Sequence, residues 1–242
     1  MLSKRIIITL DIDWASDEII DYCKELLLKH RVKATWFITH DSPAIKEIFK
    51  HRQSFEVGIH PNFLPGSTQG SNTQEVMEHL LRICPDAKIM RTHSLYQSSL
   101  LFLTIIEKYP QIDKDVSLFL PYAKYTESYR LFLNQKYITR IPFIWEDDFE
   151  MTSKEPKFAL DHRFDFRQGA KIFNFHPIHI VLNSCGYENY LKLKNSHDPK
   201  KLSLKQALRF RNKALPGTED FLRELIARKE KKSFIQELEG VS

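Results

Sequence analysis

Ile6-Ile7-Ile8-Thr9-Leu10-Asp11-Ile12-Asp13, residues 6–13, is the stretch that decides how this chain folds. Its apolar, β-branched run shows no alternation with polar residues, so it reads as a strand buried on both faces, the habit of parallel sheets. Ser16 then stands where a helix cap is expected, and Ile19, Ile20, Cys23, Leu26 and Leu27 recur at helical spacing behind it. The same unit repeats down the chain. Strands are predicted over Val32–Thr39, Phe55–Ile59 and Lys88–Thr92, with weaker ones near Val116–Leu120, Ile138–Trp145 and Lys171–Phe175. Helices are predicted after Asp41-Ser42-Pro43, over Gln74–Ile83 behind a Gly/Ser/Asn-rich loop (Gly66–Thr73), and over Ser98–Tyr109. Strands alternating with helices give an α/β fold.

At 242 residues the chain fits one such domain. Hydrophobic residues at 42% and charged residues at 28% are the proportions of a globular protein. Cys23, Cys84 and Cys185 are odd in number and lack metal-like spacing, as reduced thiols would be. Met1 to Arg5 run straight into the first strand, with no apolar run before a small-residue cleavage site, and no stretch reaches the length of a membrane span. A cytoplasmic protein is expected. Residues 1–183 carry 23 Lys/Arg against 23 Asp/Glu, whereas residues 184–242 carry 13 against 8. That tail changes character to Lys-rich and helical, with one amphipathic helix expected on Leu202, Leu204, Ala207, Leu208 and Leu215, and another over Thr218–Lys229. The natural reading of its charge is a solvated face; contact with an anionic membrane surface or a phosphorylated carrier is the alternative. It lacks interleaved aromatics and any nucleic-acid module, so no nucleic-acid partner is expected.

The reactive side chains collect at the carboxyl ends of the predicted strands: Asp11 and Asp13, His40, His60, Arg91 and His93, Glu146-Asp147-Asp148, and His176. In a parallel barrel these ends share one mouth. A single histidine there is most often structural; convergence from six strands is not explained that way. Asp11 and Asp13, two apart, face the same side of an extended chain. Two like charges so close favour a cation between them, and imidazole with carboxylate suits zinc or another first-row divalent metal. Capping of the helix at Ser16 is the alternative use of either aspartate.

Several segments resemble the motifs of polysaccharide deacetylases with the NodB-homology fold. Thr9-Leu10-Asp11-Ile12-Asp13 is similar to their first motif, a base Asp preceding a metal-binding Asp. Lys33-Ala34-Thr35-Trp36-Phe37 resembles the second strand, and Phe55 to His60 the strand leading to a metal-binding His. Arg91 matches the arginine of the third motif, and Phe173-Asn174-Phe175-His176-Pro177 resembles the last, whose His is the general acid. LDIDWAS, IHPNF, RTHSLY and NFHPIH look closest to the WbmS-like subgroup of lipopolysaccharide or O-antigen biosynthesis. The resemblance covers Ile6 to Asn183. It implies a distorted (β/α)7 barrel over residues 1–183, with residues 184–242 as a basic helical extension packed on the same domain. It further implies a metal-dependent hydrolase acting on an acylated sugar that is nucleotide-linked, lipid-linked or polymeric.

Two departures stand out. Ile12 separates acids that are adjacent in the family, although alternation keeps both on the barrel side. Leu64 occupies the place of the family's second histidine. The expected ligands are therefore Asp13, His60 and His93, with His40 and Asn62 as weaker substitutes for His93. By resemblance Asp11 is the base, Arg91 supports it, His176 is the acid, and Asp148 or Asp147 orients His176. Trp14, Phe63, Tyr96 and Trp145 flank the mouth, as sugar-stacking or as packing residues. His179 is expected to turn outward, and His30, His51, His79, His162 and His197 to lie at the surface. Alternatives that keep the fold are an esterase or deformylase on a nucleotide-linked sugar, and a glycan-binding barrel without turnover. The latter would hold no stoichiometric metal.

Overall fold

The computed structural model describes residues 4–238; Met1 to Ser3 of the N-terminal reading lie outside them. Seven parallel strands carry the architecture: β1 (Arg5–Asp11), β2 (Ala34–Ile38), β3 (Phe55–Ile59), β4 (Ile89–Met90), β5 (Lys114–Phe119), the pair β7 (Lys136–Phe143) and β8 (Trp145–Glu146), and β9 (Ala170–Phe175). The strand β6 (Tyr129–Leu133) is antiparallel to β7, and β10 (Lys231–Lys232) adds to the start of β1. The hydrogen-bonded order is β6-β7-β5-β4-β3-β2-β1-β9-β8, an open path. Apart from the edge strand β6, its two ends nevertheless meet. Only Ile144 separates β7 from β8, so one stretch pairs with β5 below and with β9 above. Ile144 itself donates its N–H to the carbonyl of Ile172 at 3.0 Å.

Helices α1 (Asp17–Lys29), α2 (Pro43–Lys50), α3 (Thr73–Ile83) and α4 (Ser99–Lys108) cover the strands, and α5 (Asp147–Met151) and α6 (Pro177–Leu182) follow β8 and β9. Ser42, Asn72 and Ser98 cap α2, α3 and α4 through their side chains. Ser16 occupies the cap position of α1, yet its hydroxyl donates to the carbonyl of Leu202 instead.

Period-two alternation sorts the strands into two apolar layers. Ile6, Ile8, Leu10 and Ile12 face the helices. Ile7, Phe37, Ile89, Val116, Ile141, Phe143 and Ile172 fill the barrel, with Ile235 and Leu238 from the chain's end among them. Gly58 lies on the inner side: a Cβ there would sit 2.8 Å from Phe37 Cε1 and 2.7 Å from the Ile89 carbonyl oxygen. Only glycine leaves Phe37 its place.

The basic segment departs from expectation in its first half. Helix α7 (Glu188–Ser196) opens it, and Leu204–Ala207 forms a single turn, α8, which gives way to a 3-10 turn over Leu208–Phe210. Leu208 and Leu215 are exposed, so no continuous amphipathic helix runs from 202 to 215. Helix α9 (Thr218–Ala227) forms as predicted and buries Phe221, Leu222 and Leu225. Past β10 the chain turns under the barrel, where Glu56 accepts the backbone N–H groups of Ile235 and Gln236, both at 2.9 Å.

Candidate active site at the barrel mouth

β1 brings Asp11 to the inner face as its last residue, and the chain then leaves the strand through Asp13 (φ 39°) and Trp14 (φ 56°), both left-handed. Ser94 (φ 53°) and Leu95 (φ 51°) repeat this just after His93. Left-handed backbone at a bulky residue such as Trp14 costs about 1–2 kcal/mol, which neighbouring structure must offset. The two kinks turn Asp13 and His93 toward His60, the residue after β3.

These three side chains converge. Asp13 Oδ1 lies 3.2 Å from His60 Nε2 and 3.2 Å from His93 Nδ1, and the two imidazole nitrogens are 3.4 Å apart. His60 Nδ1 stands 2.8 Å from the Arg91 carbonyl oxygen, which can only accept, so Nδ1 carries the hydrogen. That leaves Nε2 as the nitrogen His60 would present to a cation. Ligands at about 2.0–2.1 Å around a tetrahedral ion stand about 3.3–3.4 Å apart, so the donor set fits one divalent cation with a fourth position open. Burial alone would raise the pKa of Asp13, but hydrogen bonds from His60 and His93, with the nearby charge of His176, hold it well below the usual carboxylate range. His93 is driven the other way: burial lowers its pKa, and the Asp13 carboxylate more than reverses that.

Beneath this group Arg91 is wholly buried between the rings of Phe37 (4.6 Å) and Phe143 (4.5 Å). Its Nη1 donates to Asp11 Oδ1 at 3.0 Å, to Thr9 Oγ1 at 2.8 Å and to Asn174 Oδ1, and its Nε to the Val116 carbonyl at 3.0 Å. Because Arg91 can only donate, the oxygen of the Asn174 amide faces it, and the amide nitrogen donates to Asp11 Oδ2 at 2.8 Å. Both oxygens of Asp11 are thus held by donors.

His176, at the start of α6, is fixed by Asp147. One carboxylate oxygen accepts the His176 backbone N–H at 2.8 Å and the other contacts Nδ1 at 2.6 Å. Asp147, not Asp148, holds the orienting position. Asp148 Oδ2 is 3.9 Å from Nε2 of His176, while its Oδ1 is 2.9 Å from His179 Nε2. Around Nε2 also stand Asp13 Oδ2 at 3.8 Å and Glu146 Oε1 at 3.9 Å. Burial works against a charged imidazole here, but Asp148 and Asp147 prevail and raise the pKa of His176 well above the ordinary value. Asp148 is correspondingly lowered to about 2, His176 and His179 outweighing burial.

Two other donor groups come together, Asp11–Glu146–His176 and Asp147–Asp148–His176. Neither fits a cation as well. Asp11 is already committed to Arg91 and Asn174, and Asp147 to two N–H groups of His176.

Several residues fall elsewhere than expected. His40 pairs with Thr39 Oγ1 at 2.9 Å, and Asn62 Oδ1 accepts the Leu64 N–H at 3.0 Å, so neither joins Asp13. His179 is buried, with Nδ1 3.0 Å from Ser184 Oγ, rather than outward. Trp14 packs edge-on against His93, centroids 5.2 Å apart, and Phe63 lies near Tyr96 at 6.4 Å. Trp145 is not at the mouth: it is buried among Phe158, Phe175 and Phe221. Thr9, Asn174 and Glu146 are site residues to which the sequence reading gave no role. Alternation back from Asp11 and His176 marks Thr9 and Asn174 as inward-facing; the signal for Glu146 was its place at the carboxyl end of a predicted strand.

Seven parallel strands, a carboxylate–imidazole–imidazole cluster and an arginine-held aspartate at one mouth define an α/β-barrel protein of the polysaccharide deacetylase class. Residues 8–194 match the family described as WbmS-like polysaccharide deacetylase, and the chain belongs to that family. It is similar in structure to a protein of Bordetella bronchiseptica described as a polysaccharide deacetylase involved in O-antigen biosynthesis. The TM-score is 0.81 at 28% sequence identity, over 93% of this chain and 91% of the other. No curated protein matches the sequence.

Proposed function

We propose that the protein is a metal-dependent carbohydrate deacylase that hydrolyses an amide or ester on an acylated sugar during surface-polysaccharide or lipopolysaccharide assembly. The observation that carries this reading is the meeting of Asp13, His60 and His93 beside an arginine-held aspartate and an aspartate-oriented histidine. A divalent ion in that cluster, zinc or a first-row neighbour, would polarise the acyl carbonyl and acidify water. Asp11 accepts the proton of the attacking water, and Arg91 and Asn174 keep its oxygens aimed. His176, held as imidazolium by Asp148 and Asp147 and oriented by Asp147, gives its Nε2 proton to the departing nitrogen or oxygen. Amide and ester cleavage draw on the same residues.

Residues 1–183 are taken as the catalytic barrel and 184–242 as an extension packed on it. No helix among the described residues is long and apolar enough to cross a membrane. The apolar face of α9 is turned inward, so any contact with an inner-membrane surface from the cytoplasmic side rests on Lys and Arg side chains. Metal analysis of purified protein, then assays of acetate and formate release from nucleotide-sugars and lipid-linked glycans, test the proposal. Bound metal near one equivalent, with release lost on chelation, is expected. Release that survives complete chelation sinks the metal-dependent mechanism, and absence of any release sinks the hydrolase.

A further inference from the structure

The site holds more negative charge than it can balance. Asp11, Asp13, Glu146, Asp147 and Asp148 bring five carboxyl groups against Arg91, His176 and the divalent ion proposed at Asp13, which leaves one negative charge over. Arg91 lies behind Asp11, sealed between two rings. Where carboxylates crowd a poorly solvated site, one of them keeps its proton.

The hydrogen bonds identify which one. Asp11 takes donors from Arg91 and Asn174; Asp13 faces His60 and His93; Asp147 accepts from His176 twice and from the Asp148 N–H at 3.0 Å; Asp148, without a side-chain hydrogen bond, has the imidazole Nε2 of His179 2.9 Å away as an ion contact. Glu146 receives one weak contact, from the Asn174 amide nitrogen at 3.4 Å, the same amide that serves Asp11. No lysine or arginine pairs with it among the described residues. Its neighbours from every side are Asp11 on β1, Asn174 on β9, His176 after β9, and Asp147 and Asp148 on α5. Its oxygens come within 4.8 Å of those of Asp11 and of a His176 nitrogen, so it faces the space where acyl transfer takes place.

We propose that Glu146 serves this site as an un-ionised carboxylic acid, donating a hydrogen bond to the substrate oxygen on which negative charge builds. The proposal rests on the hydrolase reading above. Burial and the carboxylates of Asp11, Asp148 and Asp147 push Glu146 up to about 7 against the pull of His176, in keeping with that arrangement. A carboxyl group kept neutral at working pH can donate where a carboxylate would repel. No bond to Glu146 forms or breaks and its proton stays on its own oxygen. Asp11 still takes the proton of water, and His176 still supplies the leaving group.

The test uses the zinc-loaded full chain with phenyl acetate as probe. Glu146→Ala is expected to lower kcat by about 10²–10³-fold, the usual effect of removing a donor to a developing oxyanion. Glu146→Gln, whose amide still donates, should retain most of the rate. Wild-type kcat should fall as rising pH ionises Glu146, and that limb should be missing in Glu146→Gln. Carbon-13 spectra of glutamate-labelled protein give a readout independent of turnover. The carboxyl signal lost in Glu146→Gln should sit at the protonated position at pH 6. Equal losses in Glu146→Ala and Glu146→Gln, or no loss in either, overturn the proposal, as does a carboxylate signal at pH 6. A wild-type chain that cleaves no acyl probe removes the hydrolase reading itself, a separate failure.

Discussion

Arg91→Met offers the sharpest check on the buried charge network. Arg91 is fully enclosed and holds the Asp11 carboxylate at 3.0 Å, and Asp11 is itself buried. Methionine keeps a long, flexible stem between Phe37 and Phe143 and removes only the cation. What remains is a carboxylate in a low-dielectric site with a single amide donor, Asn174. Removing one member of a buried pair costs about 3–5 kcal/mol, because the other charge is left uncompensated. A chain of this size loses about 2–4 °C of Tm per kcal/mol, so a fall of about 6–20 °C is expected. Asp11→Asn combined with Arg91→Met removes both charges, and that pair should cost less than the two single changes added together. Thermal melts of the four proteins by circular dichroism, without metal, measure this. An Arg91→Met melt within about 2 °C of wild type, or strict additivity in the double variant, would show that the pair does not couple as argued.

His176→Ala should lower turnover by about 10²–10⁴-fold with bound metal unchanged, while Asp147→Ala, which frees the ring, should cost about 10–100-fold. Loss of metal from His176→Ala on elemental analysis would make His176 a ligand instead. Ile235→Ala should cost about 2–5 kcal/mol in urea unfolding, since Ile235 is wholly enclosed inside the barrel; a change below about 1 kcal/mol would mean the tail is not part of that core. Glu146 has a folded-state pKa near 7, above its unfolded value of about 4.3. Its neutral form therefore sustains stability below about pH 4, and that contribution is lost as the pH rises through about 7. Metal-free Glu146→Gln should match wild type at pH 4.5 and exceed it by a few kcal/mol at pH 8; a difference independent of pH would contradict the raised value.

Much of this fold was legible because parallel strands buried on both faces announce themselves as apolar runs. The run from Ile6 places Ile7, Thr9 and Asp11 on one side and Ile6, Ile8 and Leu10 on the other, which is how the two apolar layers divide. Edge elements were not legible. Tyr129–Leu133 and Lys231–Lys232 are short and half exposed, so little apolar patterning marks them. Nor does propensity show why the segment from 202 to 215 breaks. Its hydrogen bonds to other parts of the chain, Leu202 O to Ser16 and Leu204 N to Glu18, take it from continuous helix.

Trp145 departs from its expected place at the mouth because of Ile144. Up to Phe143, alternation holds and Ile141 and Phe143 point inward. Continued, it would place Trp145 in the barrel and Glu146 among the helices. The strand instead breaks as it passes from β5 to β9, and both Ile144 and Trp145 join the outer layer. The break sends the tryptophan into the aromatic cluster with Phe221 and swings Glu146 to the mouth. The irregularity that brings the two ends of the barrel together is thus also what delivers a fifth carboxyl group to a site already short of cations. Restoring regular alternation there would remove Glu146 from the chemistry and the join from the barrel in one step.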